Sequence, residues 1–203
     1  MTNIPSQQRS IPRKSPRQSR SLETVKAIVE ATARILEEKG LGGLTTNAVA
    51  ERAGVSIGSL YQYFPGKDAL IGALILRETA LLIADWEAAT TAETGQAALA
   101  LLIAAAVAHQ LRRPVLARLL DIEEARLPLD PAIHAVSVRL REIVTSVLQR
   151  PDLPTQADTA FAAQDMLAII KGMVDTAGAH GEQDRPGLEE RVGRAVRGYL
   201  GYR

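Results

Sequence analysis

The hydrophobic positions repeat every three to four residues, which is the period of an amphipathic α-helix. In the first such stretch the apolar face is made by Val25, Ile28, Val29, Thr32, Ala33 and Leu36. Ser21 is a suitable N-cap residue, and Gly40 has the backbone freedom that helix C-termini use. The pattern therefore predicts a helix from Ser21 to Lys39.

Two short helices and one long helix are predicted next. Thr45 can cap a helix over 46–53, and Ser56 can cap a second that reaches Tyr63 or Phe64. The dipeptide at 65–66, Pro-Gly, ends this pair, since it is a strong turn signal. A long helix then follows over 67–89.

The rest of the chain shows helical patterns and no alternating strand pattern. Asp130 followed by Pro131 is a strong helix start, and Thr155, with Asp158 three residues later, is expected to open another helix. The predicted segments are 95–110, 115–126, 130–149, 155–177 and 188–200. The fold class is therefore predicted as all-α, with nine or ten helices.

Composition supports this prediction and excludes several kinds of site. Aromatic residues make up only 3% of the 203 residues, and there is no cysteine, which rules out disulfides and thiolate zinc sites. The longest apolar run, 97–108, is 12 residues, whereas a membrane span needs about 20. We expect a cytoplasmic protein with no membrane partner.

The charge is unevenly distributed along the chain. The net charge is +1 overall, but residues 1–67 hold ten Lys or Arg against five acids. A polyanion is therefore the expected partner of the front part. Residues 1–20 carry five basic residues, no acid and three prolines, which predicts a disordered basic arm. Such an arm could be a solubilising tail or could bind phosphates.

The most informative segment is residues 44–70, LTTNAVAERAGVSIGSLYQYFPGKDAL. Two short helices joined by a tight turn at 53–55 form a helix-turn-helix. Three of the seven aromatic residues of the chain lie within four positions here, at Tyr61, Tyr63 and Phe64. We expect Phe64 to be a core residue and Tyr61 to have a hydroxyl that reaches a phosphate.

This segment resembles the DNA-binding domain of the TetR family of bacterial transcriptional regulators. The residues that carry the resemblance are Thr46, the run Ala53-Gly54-Val55-Ser56, the run from Gly58 to Phe64, and Lys67. The resemblance covers about a quarter of the chain, from Val25 to Leu76. It implies an N-terminal three-helix DNA-binding domain over 21–66 and a larger helical bundle over 67–203 for effector binding and dimerisation.

By position, the resemblance implies a set of DNA contacts. The residues expected on the DNA-facing side of the recognition helix are Ile57, Gly58, Ser59, Gln62 and Tyr63. Phosphate contacts are expected from Thr46, Tyr61 and Lys67, and a phosphate or base contact from Asn47. Ser56 and Thr46 lie at helix N-termini, where free N–H groups favour an anion. The amide of Gln62 suits adenine, and Ile57 suits a thymine methyl.

A homodimer is also implied, with the helices at 132–149 and 156–177 as its interface. The second of these has two apolar stripes, which indicates either deep burial or a subunit partner. The predicted interface residues are Ile143, Val147, Leu167, Ile170 and Val174.

An unknown small-molecule effector is expected in the larger domain. Its candidate contacts are Trp86, His109, Arg118 and Met166, large or polar residues among aliphatic ones. Each has a structural alternative: Trp86 as a surface anchor, His109 as a helix end and Arg118 as an ion-pair partner of a nearby acid. The helix over 67–89 is the only predicted element shared by both domains.

Residues Gly54–Gly58 match the G-x-S-x-G nucleophile elbow, which would indicate a hydrolase. The elbow requires a preceding strand, and a helix is predicted there instead. We therefore expect no enzyme, cofactor or metal site. The leading hypothesis is a repressor that binds a palindromic operator as a dimer and is released by an effector; the alternative is a DNA-binding protein without an effector.

Overall fold

A computed structural model describes residues 19–126 and 131–202, apart from the side chains of 19, 20 and 125. The described residues contain helices and no strands, which confirms the all-α prediction. In chain order the helices are α1 (Ser19–Gly43), α2 (Thr46–Ala53), α3 (Ile57–Tyr63), α4 (Lys67–Ala89), α5 (Gly95–Arg112), α6 (Pro114–Arg126), α7 (Pro131–Leu148), α8 (Thr159–Ala179) and α9 (Arg185–Leu200).

The predicted caps of the short helices are present. Thr45 accepts a hydrogen bond from the Ala48 N–H at the start of α2, and Ser56 accepts one from the Ser59 N–H at the start of α3. Gly54 ends α2 with φ of 67°, a left-handed conformation that glycine adopts without a steric penalty. These local interactions make the turn between α2 and α3.

Several boundaries differ from the prediction. Within the described residues α1 begins at Ser19 and runs to Gly43, although Gly40, with φ of 61°, breaks its helical geometry. Thr155 does not open α8, because the side chain of Asp158 caps it. Asp184 likewise caps α9, which begins at Arg185, three residues before its predicted start at 188. Of the predicted basic arm, residues 1–18 lie outside the described part of the chain.

The chain divides into two compact units. Of the described residues, 19–77, 119–126 and 131–133 make up the first unit, and 78–118 and 134–202 make up the second. Helix α4 contributes to both units, as expected. Two other helices are also shared. Helix α6 passes from the second unit to the first after Arg118, and the first three residues of α7 belong to the first unit while the rest belong to the second.

The second unit is built around an aliphatic core from α4, α5, α7, α8 and α9. Trp86, Leu102, Val144, Met166 and Val192 are all at most 2% exposed in this core. Among the described residues, no single helix is long and apolar enough to cross a membrane. Helix α5 reaches that length and composition only together with residues Pro114–Glu124 of α6, across a bend of 100°.

Candidate nucleic-acid interface

Two fully buried side chains pack the recognition helix α3 against the interior of the first unit. Leu60 and Phe64 are both 0% exposed, as are Ile28 and Leu36 of α1 and Val49 of α2. Tyr61, next to Leu60, is 45% exposed. Phe64 is therefore a core residue, as predicted, and Tyr61 is on the surface.

Two hydroxyl groups that were expected to contact phosphate lie side by side. The Thr46 Oγ1 and Tyr61 OH atoms are 3.1 Å apart, so one hydroxyl donates to the other. Thr46 is at the first position of α2, where backbone N–H groups lack helical partners. The pair joins the start of α2 to the exposed side of α3 and presents two hydroxyls that can also bind an anion.

The solvent side of α3 mixes polar and apolar groups. Ile57 is 39% exposed, Gly58 and Gln62 are exposed, and Ser59 and Tyr63 are half-buried. A Cβ atom added at Gly58 would meet nothing closer than the Ser56 Oγ at 3.9 Å. The intramolecular packing therefore does not require glycine at this helical position.

Ser56 and Ser59 form a second hydroxyl pair, with their Oγ atoms 2.8 Å apart. The Ser56 Oγ also accepts the Ser59 N–H at 3.1 Å, so this serine acts as a helix cap. Because α2 precedes it, the G-x-S-x-G segment lacks the strand of a nucleophile elbow. Among the described residues no group of three or more His, Asp or Glu could hold a metal ion.

Lys67 is hydrogen-bonded to the last residues of α1, which follow the Gly40 break. Its Nζ donates to the Leu41 carbonyl oxygen at 2.6 Å, in a partly buried position. The remaining N–H groups of the ammonium are available to an anion. Asn47, the other residue expected near phosphate or base, is exposed.

Most cations of the first unit whose side chains are described are neutralised by carboxylates. Arg52 donates two hydrogen bonds to the two carboxylate oxygens of Glu38, at 2.5 and 2.6 Å. These bonds lower the pKa of Glu38 and raise the pKa of Arg52. The other pairs with an acid are Lys26–Glu23, Arg34–Glu30, Arg77–Glu30 and Arg126 with Asp68 and Glu123.

Two cations with described side chains in this unit, Lys39 and Lys67, form no ion pair with a described acid, and Lys67 donates instead to the Leu41 carbonyl oxygen. Lys39 is exposed, at the last position before the Gly40 break. The sequence offered no signal for its special status, because Arg34 and Arg52 look equally cationic until their partners are known.

The residues expected to bind an effector are not equivalent in the structure. Trp86 and Met166 are 2% and 0% exposed and belong to the core of the second unit. His109 is half-buried and has a bonding partner. Arg118 is exposed, so it does not point into an aliphatic core as expected.

The predicted dimer residues are also placed mostly in the interior. Ile143, Val147, Ile170 and Val174 are at most 5% exposed in the chain's own core, and Leu167 is half-buried. A buried side chain has no surface left to cover with a second copy. The exposed side of α8 instead carries Phe161, Asp165, Ala168 and Gly172, and the exposed side of α9 carries Gly198 and Tyr199.

The geometry of α1–α4 is that of a helix-turn-helix protein. Residues 28–74 match the family described as bacterial regulatory proteins of the tetR family, and residues 96–200 match the tetracyclin repressor-like C-terminal domain. The second match alone spans about half of the chain. The chain belongs to the TetR family.

Comparison with individual proteins agrees with this assignment. The HTH-type transcriptional repressor KstR of Rhodococcus jostii is 41% identical over 56 residues, which are 28% of this chain and 26% of KstR. The alignment thus spans about a quarter of the curated relative.

Two solved structures cover nearly the whole fold. A TetR-family transcriptional regulator from Streptomyces coelicolor is 27% identical, with a TM-score of 0.67 over 88% of this chain and 98% of that one. The regulator FadR of Bacillus subtilis, solved in complex with stearoyl-CoA, is 21% identical, with a TM-score of 0.73 over 84% of this chain and 96% of that one. The latter likeness concerns the fold.

Proposed function

We propose that this protein is a transcriptional regulator that binds a palindromic duplex operator as a homodimer. The observation that carries the proposal is the surface of α3, where Ile57, Gly58 and Gln62 are left uncovered by the chain's own packing. An α-helix of this kind fits the major groove of B-DNA, which displays a distinct pattern for each base pair.

The contacts divide by chemistry. Gln62 reads a base, and Ile57 contacts a thymine methyl, because an amide and an alkyl group suit those base edges. Thr46, Tyr61, Lys67 and Lys39 contact phosphates, with Asn47 beside them. Ser59 and Tyr63 border the groove, and Ser56 holds the start of α3. Phosphate contacts fix the position, and base contacts select the sequence.

We propose that the homodimer interface is formed by the exposed sides of α8 and α9. Phe161 is 67% exposed, an unusual position for a phenylalanine. A Cβ atom added at Gly172 or Gly198 would meet nothing within 4 Å, so neither glycine is needed by the packing of its own chain. Glycine in a helix costs about 1 kcal/mol relative to alanine. Close approach of a second copy accounts for both positions and replaces the buried residues proposed from the sequence.

Oligomeric state tests this placement. Gly172→Leu should convert a dimer into a species near 21.8 kDa in sedimentation. Leu101→Arg is the control, since Leu101 is 49% exposed on α5. A Gly172→Leu protein that remained dimeric would place the interface elsewhere.

The second unit is proposed to bind a small-molecule effector that releases the operator. The TetR-like C-terminal domain supports this proposal, and so does the structure of FadR from Bacillus subtilis, which was solved in complex with stearoyl-CoA. Helix α4 runs from the first unit into the second, so an effector that displaces its second half also displaces Lys67. Coupling of this kind amounts to about 1–3 kcal/mol and is reciprocal.

The decisive experiment begins with selection of the operator from a random duplex pool, followed by binding at several salt concentrations. Specific binding should exceed random binding by at least 10³-fold. Equal affinity for selected and random duplexes would contradict a sequence-specific regulator. If no compound that binds the protein changes operator affinity, the effector-independent alternative replaces release by an effector.

A further inference from the structure

The core of the second unit contains a buried hydrogen-bond donor without an acceptor. Trp86 is 2% exposed and its indole Nε1 is inaccessible to solvent, yet no atom of the described chain accepts its proton. Buried tryptophan N–H groups ordinarily find a partner, because removing the group from water without one is unfavourable. This atom therefore requires an explanation.

Glu78 and Gln110, the buried polar residues described in this unit, have partners. The Glu78 carboxylate accepts from Arg112 at 2.8 Å, and Gln110 takes part in an interaction of its own. The Tyr202 hydroxyl is also unpartnered, but the Tyr202 ring is only partly buried, at the end of α9. Trp86 is thus the one side chain that is both inside this described core and left with an unused donor.

The surroundings of Trp86 argue against an ordered water as the partner. A buried water is held by two to four polar groups. The buried side chains that cluster with Trp86 are alanine, leucine, isoleucine, valine and methionine. Among the described residues of this unit, the polar side chains that are buried are Glu78 and Gln110, and both already have partners. A water there would have one hydrogen bond from the indole and few others.

We propose that Trp86 N–H is the donor of an effector site for a neutral, mainly aliphatic molecule that carries one hydrogen-bond acceptor oxygen. This inference rests on the effector-binding function proposed above and specifies its ligand class. A carbonyl or ether oxygen satisfies the indole, and the aliphatic part of the molecule replaces contacts within the core. An ionised group is disfavoured at this position, because no Lys, Arg or His is among the buried residues described in this unit.

The core can adapt to such a molecule. Met166 is 0% exposed in the cluster and Met173 packs against it partly buried. Methionine is unbranched and fills irregular space in several conformations, so the two side chains can move aside at little cost. Trp86 itself lies one turn before the end of α4, so a molecule bound to its indole contacts the helix that begins at Lys67.

The chain has a single tryptophan, which allows a specific experiment. Growth on benzothienylalanine replaces the indole N–H of Trp86 with sulfur at nearly constant shape and changes no other residue. The probe is 2-nonanone, a neutral ketone. Its binding to the full-length protein is measured by Trp86 fluorescence in the natural protein and by thermal shift in both proteins.

Two opposite effects are expected. Without ligand, the benzothienylalanine protein should melt at a higher temperature, because the unpartnered donor is gone. Its affinity for 2-nonanone should fall by about tenfold, as expected for one lost hydrogen bond. Trp86→Phe, which also removes the donor but leaves a smaller ring, should show the same loss of affinity even if its stability falls.

The outcomes separate this inference from the proposed function. Equal ketone affinity with and without the N–H, or no ketone binding to the natural protein, overturns the Trp86 site. A lower melting temperature for the benzothienylalanine protein indicates an existing acceptor and also overturns it. If ketone binding depends on the N–H but the ketone does not change operator affinity, the Trp86 site is supported. The proposed release of the operator by its ligand is then contradicted.

Discussion

The two units differ in the sequence separation of the residues that form their proposed binding sites. In the first unit the surface of α3 is assembled from residues 46–67, and the hydroxyl pair of Thr46 and Tyr61 joins positions only 15 residues apart. In the second unit, Trp86 of α4 shares a core with Met166 of α8. A binding surface made of near neighbours can be read from a sequence motif, whereas an interior made of distant helices cannot.

The segment after α7 shows the same long-range character in the second unit. Arg150 donates to the Thr90 and Ala92 carbonyl oxygens at the end of α4, the latter at 2.6 Å. Asp152 accepts from the Gly95 and Gln96 N–H groups at the start of α5, at 2.9 and 3.0 Å. Two residues of one loop therefore fix the turn between α4 and α5, nearly 60 positions earlier in the chain.

The largest effect is expected in the core beneath α3. Phe64→Ala removes a fully buried ring, which should lower the free energy of unfolding by about 3–5 kcal/mol and abolish operator binding. Denaturant unfolding with circular dichroism measures the first effect. Ile57→Ala, on the exposed side of the same helix, should change stability by less than about 0.5 kcal/mol. Similar losses in both variants would contradict the described packing of α3.

A smaller, sequence-dependent effect is expected at Gln62. Gln62→Ala should cost about 1–3 kcal/mol with the selected operator, with the loss confined to one base pair. Fluorescence anisotropy with single base-pair variants of the operator measures this.

Lys39→Ala is the matched comparison for Gln62→Ala. Loss of one phosphate contact should weaken binding to all duplexes alike and reduce the salt slope by about one unit. If the two variants lose affinity for selected and random DNA in the same proportion, Gln62 does not read a base.

Gly58→Ala should separate stability from binding. Because a Cβ atom has open space there, the substitution should stabilise the free protein by up to about 1 kcal/mol through helix propensity. Operator affinity should nevertheless fall, because the added methyl group lies between α3 and the groove. Thermal unfolding and anisotropy of the same preparation give both quantities. A variant that is more stable and binds equally well would show that Gly58 does not approach DNA.

The smallest effect is expected in the second unit and depends on pH. Backbone hydrogen bonds from Gln96 and Gly95 lower the pKa of Asp152 from its ordinary value of 3.8. A carboxyl with a lowered folded-state pKa contributes stability above its unfolded pKa and loses that contribution as pH falls through the folded value.

Asp152→Asn should therefore destabilise the protein at pH 7, and its difference from the natural protein should shrink below pH 3.8. Urea unfolding from pH 7 to pH 3 measures this difference. Glu93→Gln, which removes an exposed acid in the same turn region, is the control and should leave the free energy of unfolding at pH 7 nearly unchanged. A constant difference for Asp152→Asn at every pH would mean that its charge plays no part in holding α5.

The sequence determined most of the local structure. Helix caps depend only on near neighbours in the sequence, so they were predictable. The N-caps Thr45 and Ser56 and the terminating Gly54 each bond to backbone groups at most four residues away. The prediction was wrong where two residues both suit a helix start. Thr155 and Asp158 are both possible N-cap residues, and in the structure Asp158, directly before the first residue of α8, is the cap. The helix-turn-helix segment was recognisable because its motif is short and contiguous.

Tertiary structure alone decided which side chains remain available for binding. An apolar stripe on a helix is compatible with a core and with a subunit interface, and only the packing showed that Ile143, Val147, Ile170 and Val174 are interior. Whether a cation is neutralised depends on acids elsewhere in the chain, which distinguishes Lys39 from Arg52. The unpartnered indole of Trp86 is likewise invisible in the sequence, because an unsatisfied donor is defined by what every neighbouring element fails to provide.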